Sequence, residues 1–362
     1  MECIKVDFKQ NLRNKILKKG GSKMTPKIKK IFVFAVALFL IASLVQAKKI
    51  ASFPYLTKPD YMAVHQGRLY ITERATIQIY SLKDFKLVKK FGKQGEGPGE
   101  FKIPLIGTPV VVIPYPDHLL INSDSKISYF TRDGEFIKER RTQPFTIYTP
   151  IGKNFVANGT YSGKDQTTFL TVNIYDDQFN NLKELHRSNI PVGRNFGFHI
   201  PQETFGFQVY EDKIYVPKAW DFSFDIYDSS GKKLYTISKD FKKRKVTAEY
   251  KNSRLNWYKN EPTFKQFWEF FKDRITFNDY FPPIQDFVVD SGEIFVFTYE
   301  KKGGETECIV LDLKGNEQKR VFLSLPEATT FGFLTYAIEK NRFYTFIENL
   351  EEEEWQLIME EI

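Results

Sequence analysis

Gln66-Gly67-Arg68-Leu69-Tyr70-Ile71 places a turn directly before an apolar strand run, and the same arrangement returns five times along the chain. The later runs are Leu119-Leu120-Ile121, Phe155-Val156, Ile214-Tyr215-Val216, Ile294-Phe295-Val296 and Phe343-Tyr344. Their turns are Pro116-Asp117, Gly152-Lys153, Glu211-Asp212, Ser291-Gly292 and Lys340-Asn341, the chemistry expected between two strands of one hairpin. Repetition at this spacing is the signature of a propeller or an array. A third strand follows, ending in pairs such as Ile79-Tyr80, Tyr129-Phe130, Ile174-Tyr175, Ile226-Tyr227 and Val310-Leu311. Asp133-Gly134, Ser230-Gly231 and Lys314-Gly315 then supply the positive-φ positions of tight turns, so each sheet continues into a fourth strand. The reading is an all-β, six-bladed propeller of four-stranded antiparallel blades.

Two departures from the rhythm carry information. The last copy runs out at Trp355-Gln356-Leu357-Ile358 with no room for a fourth strand, while Lys49-Ile50-Ala51-Ser52-Phe53 precedes the first copy as an orphan strand. The orphan is expected to complete the sixth sheet and remove its exposed edge. The second departure lies between Tyr227 and Leu311, where one repeat interval widens to hold an insert at 239–283, between blades four and five. It reads as helical: Thr247 can cap a segment through Trp257 and Tyr258, and Thr263 with Gln266 has the spacing of a capping box. Phe264, Phe267, Trp268 and Phe271 then fall on one helical face, and Pro282-Pro283 ends the excursion.

Residues 1–47 are set apart by a basic stretch, an apolar run from Ile31 to Val45 and a small-residue end at Val45-Gln46-Ala47, the layout of a secretory signal peptide. Met24 opens a second version of it with Lys27, Lys29 and Lys30, which makes 1–23 an upstream extension if translation starts there. An uncleaved anchor is the alternative, but the run is shorter than the about 20 residues that span a bilayer as a helix. Residues 1–47 hold 10 of the 53 basic and 2 of the 45 acidic side chains, leaving 43 of each in 48–362. The high isoelectric point therefore belongs to the leader, and nucleic acid drops out as a favoured partner. Cys3 lies in the leader and Cys308 stands alone after it, so an exported chain would hold together by burial rather than by disulfides.

Phe91-Gly92-Lys93-Gln94-Gly95-Glu96-Gly97-Pro98-Gly99-Glu100-Phe101 imitates a phosphate loop but lacks the Gly-Lys-Ser/Thr ending, and a strand-like run follows it. Its glycines fit a tight path between neighbouring blades. Together with the two strands before it, Leu69 to Tyr80, this stretch resembles the linker of NHL-type repeats. Residues 48–362 as a whole resemble a divergent six-bladed propeller of the NHL-repeat-like or TolB-like type, common among exported bacterial proteins. The resemblance implies a fold and a class, with no reaction attached.

Some six-bladed relatives are lyases or lactonases, so the titratable residues need inspection. A funnel metal would require His65, His118 and His199 to converge with a carboxylate such as Asp60 or Asp286, yet no pair has ligand spacing. Calcium needs six to eight oxygen ligands, and around Asp60, Thr108, Ile147, Gln208, Asp286 and Phe333 only two carboxylates are found. No nucleophile elbow occurs. No catalytic residue, metal or cofactor is therefore assigned. The candidate binding residues are Trp257, Tyr258 and Trp268 of the insert, with Phe198 and His199 of the aromatic loop 196–207. The expected function is a non-catalytic exported module, periplasmic or extracellular, binding a protein, peptide or glycan on one propeller face. A propeller-type lyase or hydrolase with a funnel metal is the alternative.

Overall fold

The computed structural model describes residues 47–103, 109–144, 146–164, 167–192, 198–201, 205–218, 220–325 and 335–362. The expected leader, apart from Ala47, lies outside these residues, as do Phe196, Thr108 and Phe333. Six four-stranded antiparallel sheets follow one another along the chain. Blades one to five occupy 61–91, 111–141, 148–192, 208–238 and 286–323; blade six joins 336–361 to the N-terminal strand Lys48–Phe53. Tyr61–His65 of blade one meets both Val111–Pro114 of blade two and Tyr336–Glu339 of blade six, so the ring closes.

The orphan strand does what its position suggested. Lys48–Phe53 pairs antiparallel with Glu354–Glu361, from Lys48 opposite Met359 to Phe53 opposite Trp355. Side chains reinforce the seam: Lys49 Nζ and Ser52 Oγ both donate to Glu354 Oε1, at 2.9 and 2.6 Å. Both chain segments are thus locked into one blade.

The core is distributed rather than central. Six buried clusters among the described residues each lie between two consecutive blades, as where Tyr344 and Phe346 of blade six meet Met62 and Ile71 of blade one. This explains why the second strands read as unbroken apolar runs. They are covered on both faces, so Leu69, Tyr70 and Ile71 are all fully buried. Cys308 is buried in the wedge between blades five and six.

Inner and second strands are joined by tight turns on one face of the ring. Second-to-third turns and the connections between blades lie on the other, called here the connection face. Among the described residues no helix is long and apolar enough to cross a membrane.

Candidate functional site

The insert between blades four and five builds a small core of its own on the connection face. Thr247 caps the helix Ala248–Asn260, its Oγ1 accepting the N–H of Tyr250 at 3.1 Å. Glu261 closes that helix through its N–H to the Trp257 carbonyl at 2.8 Å, and its carboxylate accepts the N–H of Phe264 at 3.1 Å. One residue therefore ends the first helix and begins the next. The aromatic stripe expected along a single helix is divided at Gln266-Phe267 into two four-residue helices, Pro262–Lys265 and Trp268–Phe271. The division turns Phe264 and Phe271 inward and leaves Phe267 40% exposed.

Tyr258, Phe264, Phe271 and Ile200 form the buried centre, with Trp257 and Trp268 packed against it half-buried. The rings meet edge to face, at 5.4 Å for Tyr258 and Phe264 and 6.0 Å for Phe264 and Phe271, the arrangement favoured by aromatic quadrupoles. Trp257, Tyr258 and Trp268 are thus brought together, as support for a surface. Tyr258 is closed off from solvent, whereas the guanidinium of Arg254 lies 4.8 Å from the Trp257 ring centre.

Ile200 arrives from the connection between blades three and four. Phe198–Ile200 pairs in parallel with Ile275–Phe277 at the end of the insert. His199 sits opposite Thr276, exposed, with Nδ1 2.7 Å from the Thr276 hydroxyl. Asn278 donates its N–H to the Ile200 carbonyl and its Nδ2 to the Pro201 carbonyl, each at 2.9 Å. Two connections that the sequence presents separately therefore form one layer. Among the described side chains Phe270 is a strongly open aromatic of this layer, 67% exposed, with the Arg274 guanidinium 4.5 Å from its ring centre. Phe270 was missed in the sequence because the helical stripe selects its neighbour Phe271.

At the foot of the insert lies a groove of about 560 Å³ between the insert and blade four. Trp220, in the second-to-third turn of blade four, and Tyr280, where the chain leaves the insert, both line it and are 37% and 39% exposed. Trp220 carries no periodic signal; only its place in a turn, where a large aromatic has no packing reason to be, would have marked it.

The funnel residues divide differently. Asp60 accepts the Arg74 N–H at 2.6 Å, and burial raises its pKa above the usual carboxylate range. Asp286 accepts the N–H of Phe287 at 2.8 Å and the Tyr336 hydroxyl at 3.0 Å across two blades. Burial pushes its pKa up to about 6 against those two hydrogen bonds. The three histidines of the metal alternative are not brought together. His65 ends an inner strand and His118 begins a second strand, both beside the hairpin turns, while His199 lies on the connection face. His118 is stacked on Tyr115 at 4.9 Å, with Nδ1 2.7 Å from Asp117.

The glycine-rich stretch has its amides occupied. The N–H groups of Gly97 and Gly99 donate to Glu100 and Glu139, at 2.9 and 3.2 Å, so a phosphate there would face carboxylates. Phe101 is fully buried beneath the loop, and an added Cβ on Gly92 would stand 2.6 Å from its ring. The loop is a plug between blades one and two.

Neither a protein-family model nor a curated protein matches the chain. Among solved structures, a Bacteroides fragilis protein described as exported shares 12% identity with a TM-score of 0.50, over 87% of this chain and 93% of that one. A member of the DUF4221 family from Bacteroides vulgatus is 14% identical, covering 88% and 98%, with a TM-score of 0.45. BamB from Moraxella catarrhalis is 11% identical, covering 83% and 71%, with a TM-score of 0.31. At these identities only the first likeness speaks to architecture, and it speaks to the fold alone.

Proposed function

We propose that the chain is an exported, non-catalytic propeller that works as a binding or scaffold module, docking a protein, peptide or glycan on its connection face. One observation carries this reading: insert and loop together build a separate buried cluster above the blades, and that cluster presents Phe270 and Phe267 to solvent. The six wedges between blades are complete without it, so it is an addition to a closed scaffold. Aromatic residues, phenylalanine included, and arginine are both enriched in protein interfaces relative to the rest of the surface. Export is supported by the signal layout at 1–47, with cleavage expected near Ala47.

The test is capture from an extract of the producing cells with wild type and with Phe267→Ser/Phe270→Ser, all purified from the exported fraction. A partner held in stoichiometric amount by wild type and lost by the variant, at equal melting temperature, supports docking here. A partner retained equally by both moves the site elsewhere on the ring. No partner at all removes the docking reading.

A further inference from the structure

We propose that the groove between blade four and the foot of the insert is a carbohydrate subsite that takes a short segment of a neutral glycan across Trp220 and Tyr280. The inference goes beyond the docking reading: it places a second subsite, whose lining includes neither Phe267 nor Phe270. Three features converge on it: the shape of the groove, its aromatic platforms and its balance of charge.

The volume of about 560 Å³ lies within the roughly 300–1,000 Å³ of small-ligand clefts. Its apolar lining includes Phe222 and Phe241, stacked at 5.7 Å, and the buried Phe281 and Pro283. Trp220 and Tyr280 join this lining as large aromatic side chains left open to solvent, and they come from independent segments. The backbone that carries each is fixed by hydrogen bonds. The Trp220 turn is closed by Lys218 N–H to the Ser223 carbonyl at 3.0 Å and Ser223 N–H to the Asp221 carbonyl at 2.8 Å. Tyr280 is bridged to Lys245, with Val246 N–H to the Asp279 carbonyl and Phe281 N–H to the Arg244 carbonyl flanking it at 2.9 Å. Flat, pre-positioned aromatic faces match the C–H faces of a pyranose ring. A backbone fixed in advance lowers the ordering cost of binding.

The polar lining suits the edges of the same ring. Asp221, Asp240 and Asp279 stand against Lys218, Lys239 and Lys243, so the formal charge of the groove is balanced and no net field selects an ion. Lys218 and Lys239 are engaged with Asp225 at 3.5 Å and Glu317 at 2.9 Å. Ionised carboxylates only accept hydrogen bonds, and sugar hydroxyls can supply the donors. A phosphate or other anion would meet three carboxylates as well as three lysines, two of which already have carboxylate partners.

Maltohexaose, cellohexaose and xylohexaose are titrated into the whole purified protein and followed by calorimetry and tryptophan fluorescence. The controls are Trp220→Ala, Tyr280→Ala and Phe270→Ala, each checked for an unchanged melting temperature. The expected result is saturable binding of at least one sugar, weakened at least about tenfold by each groove variant and unaffected by Phe270→Ala. Absence of binding by all three sugars overturns the inference, as does binding indifferent to both groove variants. Hexalysine bound in the groove in place of the sugars identifies a basic-peptide site and overturns it too. A partner captured through Phe270 survives any of these failures, so the two readings fail separately.

Discussion

A Cβ added to Gly315 would stand 2.5 Å from Ile237 Cγ2, so the third-to-fourth turn of blade five seats directly on the outer strand of blade four. The relationship recurs: a Cβ on Gly134 would meet Phe91 of blade one at 2.8 Å, and one on Gly231 would meet Ile174 of blade three at 2.8 Å. Gly292 has a similar φ, +79° against +90° for Gly315, but nothing within 4 Å. The pair separates backbone strain from packing. Gly292→Ala is expected to cost about 1–2 kcal/mol for the left-handed conformation alone. Gly315→Ala adds an overpacking cost of about 1–3 kcal/mol. Urea denaturation of both variants checks this, and equal losses would remove the close-packing role.

That contrast also marks how far the sequence was legible. Asp133-Gly134, Ser230-Gly231 and Lys314-Gly315 announce their turns because φ is a local property. The neighbour each glycine touches lies in the preceding blade, which no local pattern records. The same division runs through the candidate site. Thr247 reads as a cap and is one. The division at Gln266-Phe267 was invisible because periodicity counts positions and does not see the tight turn in which the Phe267 N–H donates to the Phe264 carbonyl at 2.9 Å. Lys49–Phe53 could be assigned to blade six because the ring would otherwise end on an open edge. The parallel pairing of Phe198–Ile200 with Ile275–Phe277 had no such constraint behind it.

Phe53 is the anchor of the closing strand. It is 5% exposed and meets Tyr80 of blade one at 4.9 Å and Phe346 of blade six at 5.5 Å, both edge to face. Phe53→Ala is expected to cost about 3–5 kcal/mol, the range for emptying a buried aromatic site. Tyr55, 93% exposed, is the control and should leave stability unchanged on replacement by alanine. Truncation up to Ala51 should lower the melting temperature of the whole ring. An unchanged melting temperature after truncation would show that blade six holds without its outer strand.

Asp286 makes stability depend on pH in a stated direction. Its folded pKa, about 6, lies above the ordinary aspartate value of 3.8 because burial disfavours the charged form. Between those values the folded chain holds a proton that the unfolded chain has released, so stability is fully present below the unfolded pKa and is lost as pH rises through about 6. Asp286→Asn keeps an acceptor for the Tyr336 hydroxyl and removes the titration. Denaturation at pH 4, 5, 6 and 7 should show the variant gaining on wild type by about 1–3 kcal/mol across that range. A constant difference between the two proteins would place the titration elsewhere.

Phe270 and Phe271 are adjacent, yet the first is 67% and the second 3% exposed, which separates the surface of the insert from its support. Phe271→Ala opens a cavity among Tyr258, Phe264 and Trp268, in a cluster distinct from the six wedges between blades. The loss is therefore expected to be local, because regions with few contacts to the main core open as separate units. Amide exchange at 248–277 should accelerate sharply in Phe271→Ala while the second strands of the blades keep their protection. Phe270→Ala should leave exchange unchanged throughout. If Phe271→Ala instead loosened the blades to the same extent as Phe53→Ala, the insert would be part of the ring's own core, and a docking role for its surface would lose its structural basis.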